Sequence, residues 1–158
     1  MKRGRSLAAF VLVLVVCVGC DHASKRVASE LLADGAPVAF AGDAVRFQLT
    51  ENRGAFLELG AGLPEPLRSA LFSGLVPLLL IAVLFIGRRG QASFAERIAL
   101  GMVVGGGLAN WLDRLQHAGA VTDFVSVGVG PLRTGIFNAA DVALMAGLAI
   151  LMLQRSRA

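Results

Sequence analysis

The sequence predicts an all-α polytopic membrane protein with four transmembrane helices and a small extracytoplasmic β-rich subdomain or flap. Three observations carry this reading. Hydrophobic residues make up 56% of the 158 residues and mean hydropathy is +0.70, above the roughly 45–50% apolar usage of soluble domains. With their neighbours, four apolar stretches, at about 7–24, 67–87, 95–114 and 136–154, approach the ~20 residues that cross a bilayer. Basic residues sit at one set of helix ends: Lys2, Arg3 and Arg5 before the first stretch, Arg88, Arg89 and Arg97 between the second and third, Arg155 and Arg157 after the fourth. In a four-helix count these segments share one side, so both termini are expected in the cytoplasm.

The first stretch, with "LVLVVCVGCDHASK" at 12–25, has two readings. A basic start, an apolar run and Gly19 before Cys20 also describe a lipoprotein signal peptide cut before Cys20. The mature part of a lipoprotein should be soluble, and the chain beyond Cys20 is not. Cys17 also stands where a lipobox usually carries Leu. The stretch is therefore expected to be the first membrane helix.

The segment 26–66 is too polar to span. Within it, "PVAFAGDAVRFQLTENRGAFLELG" at 37–60 alternates in part and is rich in Val, Phe, Leu and Thr. Gly42 and Asp43 signal a turn and Gly54 a break, so a strand-rich flap is expected on the outer surface. The second helix contains "LFSGLVPLLLIAVLFIG". The third carries Gly101, Gly105 and Ala109 at four-residue spacing, with Trp111 expected at the outer interface. A second outer segment, 113–135, holds the strand-like "AVTDFVSVGVG". The fourth helix repeats the small-residue spacing with Ala139, Ala143 and Gly147, which lets membrane helices approach closely. If helices three and four touch, the polar residues at their outer ends meet. The whole, 1–158, reads as a single membrane-embedded domain.

A net charge of +4 and a pI near 10.0 do not indicate a nucleic-acid partner, because the basic residues are tied to helix ends rather than gathered in one patch. The acids point elsewhere. Glu96 alone falls on the inner side, whereas Asp21, Glu51, Asp113, Asp123 and Asp141 fall at or near the outer face.

Asn110, Asp113 and Arg114 share one face of the third helix, and Asn138 and Asp141 have the same i, i+3 relation about one turn into the fourth. Asp123 lies in the apolar run "VTDFV". An ionisable residue at membrane depth is costly and marks a candidate site. Asp141 is the sharpest case, since its apolar helix could carry Ala there without cost. A structural alternative is that Asp123 or Asp141 pairs with Arg114 to hold helices together. The chemical reading is that two neighbouring, shielded carboxylates share one proton and activate a water, one as base and the other as acid.

Other chemistries lack parts. Cys17 and Cys20 form a C-x-x-C beside His22, but no second cysteine pair follows, so no metal site is expected. His117 reads as a loop residue. Ser24 and Lys25 are adjacent on a helix and point about 100° apart, so they cannot form a dyad. Neither G-x-S-x-G nor H-E-x-x-H occurs, and no cofactor is expected. The rival function is a small membrane carrier whose acids bind cations or protons; it should show a polar path to the inner side, whereas the polar groups here stop near the outer ends.

"DHASK" (21–25), "ENRGAF" (51–56), "GGGLANWLDRL" (105–115), "GAVTDFV" (119–125) and "FNAADVAL" (137–144) resemble, in order and near spacing, the motifs of lipoprotein signal peptidase, or signal peptidase II. The resemblance implies a bacterial inner-membrane aspartic protease that works outside the cytoplasm and needs no cofactor. Its substrates are diacylglyceryl-modified prolipoproteins, cut before the lipidated cysteine. Carried over by motif, Asp123 and Asp141 form the catalytic dyad, while Asn110, Arg114 and Asn138 line the site and position substrate. Asp113 is expected to support the structure by pairing with Arg114; Asp21 and Lys25 match the motif ending helix one; Asn52 and Gly54 match the flap motif. The implied partners are substrate and membrane lipids, the implied state a monomer. Two departures stand out: "NRGAF" is one residue shorter than the N-x-G-A-A-F of many members, so no role is transferred to Phe56, and His22 replaces a frequent glutamine.

Overall fold

The structure is a computed structural model that describes residues 2–55, 59–89 and 92–156; Phe56 of the flap motif and Arg157 of the C-terminal tail lie outside them. The element order is α1 (Lys2–Leu31), β1 (Val38–Phe40), β2 (Val45–Asn52), α2 (Glu65–Ser69), a π-helical stretch (Ala70–Leu75), α3 (Val76–Arg89), α4 (Phe94–Gln116), β3 (Val121–Val129), β4 (Leu132–Arg133) and α5 (Ala139–Arg155). Two helical stretches, Ser6–Leu31 and Glu65–Phe85, are long and apolar enough by themselves to cross a membrane.

α1 continues beyond the expected end near 24 because its last turns pack against the sheet. Ala28 and Leu32 are buried with Phe124 of β3 in one apolar cluster, against which Phe47 and Val125 also pack. The helix thus leaves the apolar stretch and becomes the support of the sheet. The second apolar stretch is interrupted by its π-helical segment, and Pro77 is the second residue after it. Proline has no amide hydrogen for the carbonyl four residues earlier, that of Ser73, and the Trp111 indole donates to this carbonyl at 2.9 Å instead. The tryptophan expected as an interface anchor therefore also ties α4 to the irregular helix.

α4 is the central helix, packing most extensively against α5 and α1 and then α3. It starts with a capping box in which the Glu96 amide donates to Ser93 Oγ and the Ser93 amide to Glu96 Oε2. Its small residues divide between two neighbours. Gly101 and Gly105 face α1, where a Cβ would lie 3.0 Å from the Phe10 carbonyl and 2.9 Å from the Cys17 Cβ, respectively. The contact with α5 runs instead through Gly106, where a Cβ would meet the Ala140 carbonyl at 2.5 Å, and through Gly147, where it would meet the Ala99 carbonyl at 2.7 Å. Backbone stands in the way in both cases and cannot rotate aside. Gly106→Ala is accordingly expected to cost about 1–3 kcal/mol and to push back the start of α5, read as a lowered melting temperature in detergent.

The two segments between the apolar stretches, around 37–52 and 121–133, form one antiparallel sheet of order β1-β2-β3-β4. β2 pairs with β3 from Val45↔Val127 to Asn52↔Val121, and the register shifts by one residue between Phe47 and Thr50. Such a bulge re-aims side chains, and here it sets Thr50 opposite Asp123. The β1–β2 turn uses left-handed backbone at Ala41, Gly42 and Asp43. It is held by Asp43, whose carboxylate accepts from Arg46 at 2.6 and 3.1 Å, and by Arg133, which donates to the Asp43 carbonyl.

Candidate active site

The start of α5 differs from the expectation and decides the geometry of the site. Asn138 and Asp141 are not one turn inside the helix: Asn138 is its N-cap in extended backbone, and Asp141 occupies the third helical position. They form a reciprocal capping box, with the Asp141 amide donating to Asn138 Oδ1 at 2.9 Å and the Asn138 amide to Asp141 Oδ2 at 3.2 Å. Alanine at 141 would therefore not be free of cost, because it removes half of the cap. Phe137, just before, pairs with Val125, which fixes this helix start against β3.

Asp123 projects from β3 and is 1% exposed. Its Oδ1 accepts from the Asn138 amide group at 2.6 Å and its Oδ2 from Asn52 at 2.9 Å. Asp141 Oδ1 accepts from Asn110 at 2.9 Å. The Asn138 side chain also donates to Asn110 Oδ1 at 3.1 Å, so three asparagines bind the two carboxylates into one network. Among the described residues no cation pairs directly with Asp123 or Asp141. The pairing with Arg114 weighed as a structural alternative is thus absent among them. Burial pushes the Asp123 carboxyl up from 3.8 to about 6, against the opposing hydrogen bond from Asn52; the Asp141 charge adds to the rise, while Asn138 and Lys25 oppose it. Because the unfolded carboxyl releases its proton near 3.8 and the folded one near 6, this group favours the folded state at low pH. That contribution is lost as pH rises through 6.

Beneath the carboxylates lies a second buried set. Lys25 Nζ contacts Asp21 Oδ2 at 2.7 Å and Asp113 Oδ2 at 3.1 Å, and donates to Asn110 Oδ1 at 3.0 Å. Asp21 Oδ1 accepts the Ala140 amide at 2.8 Å, which ties α1 to the first turn of α5. Asp113 takes the Thr122 amide at 2.7 Å and so holds the residue beside Asp123. The expected pairing of Asp113 with Arg114 is corrected: its partners are Lys25 and, at 2.8 Å, His117 Nδ1. Residues four apart share a helix face, and the one-residue step from 113 to 114 turns Arg114 away. Ser24 donates to the Asp21 carbonyl, while the Lys25 amine turns to Asp21, Asp113 and Asn110.

Arg114 reaches the loop that follows β2. It donates to the Gly54 carbonyl and, at 3.3 Å, to the Asn110 carbonyl, and it lies 5.4 Å from the centre of the Phe72 ring, within cation–π range. Asn52 holds the start of this loop, accepting the Gly54 amide at 2.8 Å while donating to the Ala55 carbonyl and to Asp123. The ten residues singled out from the sequence thus form one connected assembly drawn from α1, β2 and its following loop, α4, β3 and α5. Phe72 and the Ala140 amide belong to it and were not anticipated. Ala140 has a signal in the "NAAD" cap pattern; Phe72 has none, because its contact with Arg114 depends on how the irregular helix packs.

Among the described residues no group of His, Cys, Asp and Glu is arranged to hold a metal ion. The arrangement offers acid–base chemistry: two carboxylates, one fully buried and one partly exposed, each held by neutral amides that stabilise charge without neutralising it.

A family model described as signal peptidase (SPase) II matches residues 13–156. The lipoprotein signal peptidase of Mycobacterium tuberculosis is 33% identical over 154 residues, covering 94% of this chain and 71% of that protein. That of Rhodococcus jostii is 35% identical over 153 residues, with 94% and 72% covered. A bacterial membrane enzyme solved by the in meso method at 2.3 Å resolution superposes with a TM-score of 0.78 at 21% identity, over 95% of this chain and 88% of the other. A second, solved at 1.9 Å, gives 0.77 at 22% identity, over 93% and 92%. At that identity the likeness is one of fold.

Proposed function

The chain belongs to the signal peptidase II family, and from this premise we infer that it is a membrane endopeptidase that removes signal peptides from prolipoproteins. The observation that carries the chemistry is the meeting of Asp123 and Asp141 on shared asparagines, with no cation among the described residues against either. We propose these two as the catalytic dyad. The carrier alternative finds no support, since among the described residues the buried carboxylates gather at the sheet end of the helices and are engaged with neighbouring polar groups.

In the proposed reaction the dyad holds one proton. The ionised carboxylate takes a proton from water as the water oxygen bonds to the scissile carbonyl carbon, and the protonated partner donates to the carbonyl oxygen. Collapse of the tetrahedral intermediate breaks the C–N bond, and a dyad proton passes to the leaving amine. Asn110 and Asn138 hold the carboxylates in register. Asn52, Gly54 and Arg114 anchor the flap over substrate, and Asp21, Lys25 and Asp113 support the floor. The cut falls before the diacylglyceryl-modified cysteine, whose lipid chains stay in the bilayer.

The proposed placement is a single domain in a bacterial inner membrane, acting as a monomer. It crosses four times, through α1, the α2–α3 stretch, α4 and α5, with both termini cytoplasmic and the dyad near the outer face. The basic residues at the ends of α1, α3 and α5 support this orientation. α5 has 17 residues, about 26 Å at 1.5 Å each, close to the ~30 Å hydrocarbon thickness.

The test is cleavage of a diacylglyceryl-modified prolipoprotein and its unmodified form by the purified protein in detergent, with the cut located by mass spectrometry. Cleavage before the modified cysteine is expected, and none of the unmodified chain. A folded protein inactive on both would overturn the reading. The pH profile follows from Asp123: kcat/KM should fall roughly tenfold per unit above pH 6, as the last dyad proton is lost. A profile flat between pH 6 and 8 would contradict the shared proton.

A further inference from the structure

At the end of the helices opposite the dyad, α1, α3 and α4 enclose a cavity of about 260 Å³ that the peptidase chemistry does not use. Its walls are apolar, including Leu7, Phe10 and Val11 of α1 and Ile81 and Leu84 of α3, and the charged residue among its described walls is Arg97 of α4. Leu7, Val11 and Ile81 are each about half exposed, so the cavity opens on the outer surface of the helices. Among the described residues, the buried Arg97 Nε has no hydrogen-bond partner and no carboxylate pairs with its guanidinium. The adjacent Glu96 forms no ion pair with it; its carboxylate accepts the Ser93 amide at 2.6 Å. A guanidinium with a buried, unsatisfied N–H beside an apolar cavity is costly unless an anion meets it.

We propose that this cavity binds a phospholipid of net negative charge, its acyl chain along Leu7, Phe10 and Leu84 and its phosphate oxygens accepting hydrogen bonds from Arg97. An apolar slot opening to the side suits a chain entering from the bilayer, and a guanidinium suits a phosphate with two oxygens to offer. Arg97 selects the occupant: with no carboxylate paired to it among the described residues, it repels the ammonium of a zwitterionic headgroup and is neutralised by an anionic one.

The test uses the full chain in detergent, read by native mass spectrometry and by thermal shift. Dioleoylphosphatidylglycerol, dioleoylphosphatidylcholine and inorganic phosphate are added in parallel. Phosphatidylglycerol is expected to remain bound and to raise the melting temperature, phosphatidylcholine to bind roughly fivefold or more weakly, and phosphate alone to do neither. Arg97→Gln should abolish the preference between the two lipids, and Arg97→Lys should keep part of it. Equal binding of both lipids, an undiminished preference in folded Arg97→Gln, or a shift reproduced by phosphate alone would each overturn the proposal. The readout is lipid binding, so the result is independent of the peptidase reading.

Discussion

Asp123→Asn and Asp141→Asn are each expected to lower cleavage of a lipidated prolipoprotein by about three orders of magnitude or more, while the protein remains folded. At position 141 chemistry and structure can be separated. Asparagine keeps a carbonyl oxygen for the Asn138 amide, so the helix cap seen in the wild type survives, but it can neither take a proton from water nor carry one to the substrate. Asp141→Ala should be equally inactive and, with the Asn138 amide left without its half of the capping box, also less stable by about 1 kcal/mol. Near wild-type turnover by Asp141→Asn would reduce Asp141 to a capping residue and remove the dyad. At position 123, Asn52 and Asn138 hold the side chain on both oxygens, and asparagine there retains one acceptor for them while losing the proton chemistry. Circular dichroism and a melting curve alongside each rate keep loss of activity distinct from loss of fold.

The largest effect on stability is expected from Lys25→Met. Among the described residues Lys25 is the cation in contact with both Asp21 and Asp113, and all three side chains are 5% exposed or less. Methionine fills much of the same volume but leaves two buried carboxylates without that counter-charge. Removing one member of a buried ion set typically costs about 3–5 kcal/mol. Asp21 also binds the first turn of α5 and Asp113 the residue before Asp123, so the loss acts on both halves of the site. The measurement is thermal unfolding in detergent. Adding Asp113→Asn to Lys25→Met should recover part of the loss, because one unpaired charge is then removed; a single variant as stable as wild type would show that the set is hydrated and contributes little.

Much of the site was legible because its members come in short helical and strand patterns. The i, i+3 and i+4 spacing of Asn110, Asp113 and Arg114 put polar groups at one end of α4, and an acid inside the apolar "VTDFV" marked Asp123. The N-cap role of Asn138 was also written in the chain, as Asn followed three residues later by Asp before an apolar run. Starting the helix at Ile136, where the apolar run begins, hides that role and places the pair too deep. The strand-rich character of 37–60 and of the segment around Asp123 was likewise visible, as alternation.

What composition, charge placement and motif order determined by themselves was the class of molecule, the family it resembles and the residues to suspect. These follow from local rules, since hydropathy, helix periodicity and charge at helix ends do not depend on which elements become neighbours. Partner choice was decided only in three dimensions. Adjacent residues on α4 diverge, Asp113 to Lys25 and Arg114 to Gly54, because a 100° step per residue aims them at different neighbours. The two strand-bearing segments join into one sheet whose single-residue bulge fixes what lies opposite Asp123. Gly106, outside the small-residue spacing read from the chain, is where α4 meets α5. Each of these is a packing decision between segments distant in sequence, and a carboxylate acquires its partners, its burial and its proton affinity only when those segments close around it.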